Sequence, residues 1–148
     1  MMTTIFRATT GLILAGLIGL AHAASPVGVW QTIDDKTGKE RSIVRITEVN
    51  GELQGVVEQL FDQPGEDPKH LCKDCKGERK DKPIIGMTIL WGLKQQGSEW
   101  SGGEILDPKN GKIYRCKMTP SEDGKQLNVR GFIGVSLIGR TQTWHRLQ

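Results

Sequence analysis

The sequence predicts an all-β fold, one eight-stranded antiparallel up-and-down barrel, and three observations carry that prediction. Beyond residue 23 there is no amphipathic segment of helix length. Strand-length apolar runs recur instead, at the spacing of a sandwich or barrel. Between them stand Thr37-Gly38, Asn50-Gly51, Gly97-Ser98, Asn110-Gly111 and Asp123-Gly124, where Gly or Asn supplies the positive φ that tight hairpins require. Hairpins joining consecutive runs make a meander. Because eight is even, the first and last strands run antiparallel and can pair, which removes both exposed sheet edges.

The strands are placed at 27–34, 41–49, 52–61, 84–94, 99–106, 112–119, 126–132 and 140–147. The third sets Leu53, Val57 and Phe61 against Glu52, Gln54 and Glu58. In the sixth, Tyr114, Cys116 and Met118 fall on one face and Arg115 and Lys117 on the other, the alternation of an inside and an outside. The fourth run is apolar on both faces and contains Gly86 and Gly92, so alternation alone does not define it.

A meander sorts its connections between the two barrel ends. Those at 50–51, 95–98 and 120–125 share the end that holds both termini, and all are short. The opposite end receives 35–40, the 22-residue stretch from Asp62 to Pro83, the Asp107 to Gly111 turn and 133–139. A long segment of this kind in a compact domain is more often a lid or binding loop than filler, so a functional mouth is expected there. Tyr114, Arg130 and Arg140 sit at strand ends facing that mouth, and Asp107 begins the turn beside them. Two guanidinium forks and a phenol suit a carboxylate or phosphate. The competing reading is that Asp107 caps its own turn and an Arg pairs with it.

The first residues have the three parts of a secretory signal: Arg7, an apolar run from Gly11 to Ala21, and Ala21-His22-Ala23 as a small-x-small cleavage site. The run is about half of the roughly 20 residues that a spanning helix needs, and Ser25, Pro26 and Gly28 follow at once. Residues 1–23 are therefore read as a signal peptide, and residues 24–148 as one soluble periplasmic domain with no membrane span. No cysteine near the cleavage site offers a thiol for lipidation. Removing residues 1–23 takes away one Arg and no acid, leaving 19 basic against 17 acidic residues. So small an excess argues against a nucleic-acid partner, which would demand a concentrated basic face.

Cys72-Lys73-Asp74-Cys75 fits a redox dithiol, half of a metal site or a structural bridge. A redox dithiol needs its first Cys at a helix N-terminus, and no apolar periodicity follows in Lys76-Gly77-Glu78-Arg79-Lys80. A zinc site requires four ligands, and only His70, Cys72 and Cys75 cluster, leaving Cys116 or His145 to supply the fourth. In the chain-entropy model a bridge across four residues is worth roughly 2 kcal/mol, against about 4 for a Cys75 to Cys116 link. Stability alone favours the longer bridge, but Cys116 lies among inward residues, so a local Cys72 to Cys75 disulfide is expected in an oxidising compartment. The charges from Lys69 to Lys82, six basic and three acidic, read as a solvated loop, or alternatively as a basic lip for an anionic headgroup.

Gly28-Val29-Trp30 in the first strand and Trp144-His145-Arg146 in the last resemble the calycin pattern of lipocalins and streptavidin-like barrels. The resemblance implies that Trp30 plugs the closed end and that Arg146 lies across it, an arrangement favoured by cation–π attraction. The chain also resembles domain-of-unknown-function family 2147, a bacterial family of exported proteins. The matching elements are Gly28-x-Trp30, Cys72-x-x-Cys75, Trp100-x-Gly102-Gly103, Asp107-Pro108-x-x-Gly111-x-x-Tyr114, Arg130-Gly131-Phe132 and Gly139-Arg140-Thr141-Gln142-x-Trp144-x-Arg146. That family implies a fold and a compartment and brings no activity with it.

Neither G-x-S-x-G nor H-E-x-x-H occurs, and His70 and His145 fall at opposite ends, so a non-enzymatic role without cofactor is expected. The leading expectation is an exported barrel that holds one small amphipathic or lipid-like molecule. The alternatives are an envelope thiol or metal module using Cys72 and Cys75, and a structural envelope protein without ligand.

Overall fold

Eight strands form in chain order: β1 (Gly28–Ile33), β2 (Glu40–Val49), β3 (Glu52–Leu60), β4 (Thr88–Gln96), β5 (Glu99–Asp107), β6 (Lys112–Pro120), β7 (Gln126–Phe132) and β8 (Gly139–Arg146). Each pairs antiparallel with the next, and β1 pairs with β8 to close the barrel. The computed structural model describes residues 24–135 and 137–148, so the segment read as a signal peptide lies outside the described residues. Among the described residues no helix is long and apolar enough to cross a membrane.

The hairpins follow from local chemistry. Asn50 and Gly51 both take positive φ, 52° and 79°, the mirror-image turn whose twist matches that of paired strands. At the other end Asp34 organises the β1–β2 connection, its Oδ1 accepting the Lys36 and Thr37 amides at 2.9 and 3.0 Å. Asp107 does the same for the β5–β6 turn, taking the Lys109 amide on Oδ1 at 2.9 Å and the Gly111 amide on its carbonyl at 2.8 Å.

β4 begins later than the sequence suggests, at Thr88 rather than 84. Ile84 hydrogen-bonds through its amide to the His70 carbonyl at 2.9 Å, and Gly86 adopts a φ of 88° that turns the chain before the ladder starts. The connection after β3 is therefore longer than expected. It carries a short 3-10 turn, Gly77–Arg79, and an isolated bridge from Leu71 to Pro83. Cys72 and Cys75 are joined in a disulfide within it and are both buried. This loop docks on the β5–β6 turn: Cys72 Sγ lies 3.5 Å from the Pro108 carbonyl oxygen, and Gly111 meets the Asp74 carbonyl so closely that no side chain fits there.

The core is unevenly distributed along the barrel. Around the closed end, Trp30, Ile46, Leu53, Leu93, Trp100, Met118 and Leu127 are buried in one cluster. Cys116 is buried beside them as a free thiol, and burial pushes its pKa up to about 12.

Candidate functional site

The two ends of β8 define the site. Read from the closed end, its alternate inward positions are Arg146, Trp144, Gln142 and Arg140. Arg146 lies across the indole of Trp30, its guanidinium carbon 4.2 Å from the ring centroid. It donates to the backbone carbonyls of Val27 at 2.8 Å, Ser25 at 2.5 Å and Gly124 at 2.5 Å. The Trp30 indole N–H is satisfied by Pro26 at 2.7 Å. Burial lowers the Arg146 pKa from its ordinary value, yet a guanidinium starting at 12.5 stays charged at neutral pH. These contacts tie the N-terminal segment, the β7 approach and the chain end into one seal.

Beyond Trp144 the interior opens. A cavity of about 690 Å³ occupies the other end of the barrel. Its deeper walls are apolar, with Val57, Ile89, Leu106, Val129 and Trp144 among the lining residues. The polar groups are few. Thr32 and Ser42 satisfy one another at 2.7 Å, and Gln142 Oε1 accepts the Trp144 indole N–H at 3.3 Å. At the rim Arg140 Nε faces Asp35 Oδ2 at 3.1 Å, Lys109 Nζ stands 4.0 Å from Asp34 Oδ2, and Asn110 Nδ2 donates to the Tyr114 hydroxyl at 3.1 Å. Hydrogen bonds from the backbone, that of Thr37 foremost, hold the Asp34 carboxyl below its ordinary pKa. The rim thus carries both signs of charge around an apolar throat.

A family model described as an uncharacterized protein conserved in bacteria, DUF2147, matches residues 28–146. The chain belongs to this family. Among solved structures it is similar to protein HP1028 from the human pathogen Helicobacter pylori, described as belonging to the lipocalin family, with a TM-score of 0.72 and 23% identity over 84% of each chain. At that identity the likeness concerns the fold: a closed eight-stranded lipocalin-like barrel. No curated protein matches the chain.

In this DUF2147 barrel, Asp107, Tyr114 and Arg140 all line the cavity near its mouth. Arg130 does not. It alternates with the buried Leu127 and Val129 on β7 and so points outward, where its Nη1 donates to Thr141 at 3.0 Å and its cross-strand neighbour is Lys117. A strand end near the mouth positions a backbone, but parity decides which way its side chain faces. Asp107 lines the cavity while its carboxylate caps its own turn.

Sequence reasoning passed over Thr32, Ser42 and Gln142. The signal for Gln142 was present, since it shares parity with Trp144 and Arg146. Nothing local distinguishes the Thr32 and Ser42 hydroxyls from ordinary strand Thr and Ser until β1 and β2 are brought into register. Cys72 and Cys75 are bonded to one another, not held as two thiols, and buried beneath the β5–β6 turn. Among the described residues no three His, Cys, Asp or Glu side chains form a metal-sized cluster.

Proposed function

We propose that this protein is an exported carrier or sensor of one small amphipathic molecule, held with its apolar body in the barrel and its polar head at the rim. The observation that carries this reading is the asymmetry of the interior: a 690 Å³ cavity, open at one end of a barrel whose other end is filled. That volume falls in the range of small-molecule sites, which are concave, mostly apolar and supplied with a few converging polar groups. A barrel of eight strands with a packed interior would have no such space. Arg140 and Lys109 supply positive charge for an anionic head, and the Tyr114 hydroxyl keeps its own hydrogen to donate. Arg130 has no part in this site.

Export rests on the sequence of residues 1–23, and N-terminal sequencing of protein from its native host tests it: a chain starting at Ala24 is expected, and one that retains residues 1–23 contradicts it. Native mass spectrometry of the same material tests the cavity. A retained small molecule, or saturable one-to-one uptake of a fluorescent fatty acid by the emptied protein, supports a carrier. Arg140→Ala should then weaken an anionic ligand by about 1.5–3 kcal/mol, the range for hydrogen bonds to charged groups, with Lys117→Ala on the outer face as control. Neither retention nor uptake would overturn the reading in favour of a structural barrel. A thiol role finds less support, because both sulfurs are buried and already bonded.

A further inference from the structure

The connection between β7 and β8 breaks the usual pattern of a polar loop. Ile133, Val135, Leu137 and Ile138 are 65, 59, 89 and 69% exposed, four large aliphatic side chains on one turn at the rim of the cavity. A loop exposing this much apolar surface is ordinarily a site of contact, since solitary exposed residues are common but clusters are not. Its neighbours give the chemistry of the partner. Ile133 shares a second depression, of about 410 Å³, with Ile113, Lys76, Arg79 and Lys112. No carboxylate lines that depression, and none of the three cations pairs with one among the described residues. Across the mouth two other cations stand beside carboxylates, Arg140 by Asp35 and Lys109 by Asp34. A local group of cations with no carboxylate beside it, Arg79 among them with its guanidinium 4.7 Å from the Trp91 ring centroid, thus stands next to the exposed aliphatic turn.

We infer that this end of the barrel docks on an anionic lipid surface, with Val135, Leu137 and Ile138 entering the acyl boundary and Lys76, Arg79 and Lys112 facing the headgroups. An apolar projection flanked by cations matches a bilayer in two layers, acyl chains below and negative charge above. A second copy of the chain fits poorly, because an isologous contact would bring two copies of the same cation-bearing patch into one interface. A protein partner would ordinarily meet aromatic side chains at the centre of such a patch, and this one is wholly aliphatic. Docking in this orientation turns the cavity mouth toward the membrane, so an amphipathic ligand can pass between bilayer and barrel without crossing water; that last consequence alone rests on the carrier reading.

Vesicle sedimentation with the chain from Ala24 tests the docking directly. Binding is expected to phosphatidylglycerol–phosphatidylethanolamine vesicles, falling with added salt, and much weaker to pure phosphatidylcholine. The pair Leu137→Asp and Ile138→Asp should reduce the bound fraction by at least about tenfold, and the pair Lys76→Glu and Lys112→Glu should abolish the preference for anionic vesicles. Unchanged thermal unfolding of both variants shows that the fold survives. As a readout independent of those variants, a nitrobenzoxadiazole probe on Leu137→Cys should brighten and shift to the blue with anionic vesicles. No sedimentation, binding indifferent to both pairs, or a silent probe overturns the inference. So does a dimer that the Leu137→Asp and Ile138→Asp pair dissolves, which would make the turn a protein contact. Uptake of a fluorescent fatty acid without vesicles should be unchanged in Leu137→Asp alone and in the Lys76→Glu and Lys112→Glu pair, whose residues do not line the cavity, so failure of docking and failure of cavity binding are read separately.

Discussion

The two ends of this barrel are built from the same eight strands and are opposite in character. At the closed end two residues, Trp30 and Arg146, use nearly all their bonding capacity on the protein itself: the indole is fully buried and the guanidinium reaches three backbone carbonyls. At the open end Arg140, two inward positions beyond Trp144 on the same strand, meets a partly exposed Asp35. The lesson is that one strand, read along its inward face, passes from a sealed end to an open cavity. Position along the barrel axis, and not residue type, decides which Arg is spent on the backbone and which faces the cavity.

Substitutions at the two ends should separate accordingly. Trp30→Ala is expected to have the largest effect, a loss of about 3–5 kcal/mol as for any large aromatic removed from a core, measured by chemical denaturation. A loss below about 1 kcal/mol would mean that the seal is not part of the core. The double variant Cys72→Ser and Cys75→Ser should cost less, about 2 kcal/mol for a loop of four residues, read from the shift of the same unfolding curve. Its faster hydrogen exchange should be confined to the long loop and the β5–β6 turn on which that loop sits. A uniform rise throughout the barrel would show that the loop is structurally continuous with the closed end.

Smaller still is Arg140→Ala, expected to change stability by less than about 0.5 kcal/mol because its ion pair is exposed. A loss as large as that of Trp30→Ala would erase the distinction between the ends. Cys116 offers a further check, since a thiol whose pKa is raised to about 12 is buried and protonated in the folded state. Its folded value lies above the ordinary 9.0, so its contribution to stability is fully present below pH 9.0 and is lost as pH rises through about 12. Labelling by a thiol reagent at neutral pH should therefore proceed only as fast as global unfolding, and rapid labelling would show that the closed end opens.

The fold was legible because hairpin turns and alternation are local. Asn50-Gly51 dictates its own turn, and Tyr114, Cys116 and Met118 announce an inside. The start of β4 was not legible: Ile84 is as apolar as a strand residue, and only its hydrogen bond to His70 shows that it belongs to the loop. That Asp107, Tyr114 and Arg140 face the cavity was legible from topology, whereas the outward direction of Arg130 follows from the parity set by Leu127 and Val129 and not from its height along the barrel. The Thr32–Ser42 pair depends on register between two strands, a relation that neither residue carries alone.

Ligand binding at the open end has a direct reporter in the two indoles on either side of the boundary. Trp144 lines the cavity and donates its N–H to Gln142, while Trp30 lies in the seal and donates to Pro26. In a titration of isotope-labelled protein with a medium-chain fatty acid, followed by indole N–H resonances in nuclear magnetic resonance spectra, the Trp144 signal should move and saturate while that of Trp30 stays in place. Movement of Trp30 with Trp144 unchanged would put the ligand at the wrong end, and silence from both would leave the barrel without the occupant proposed for it.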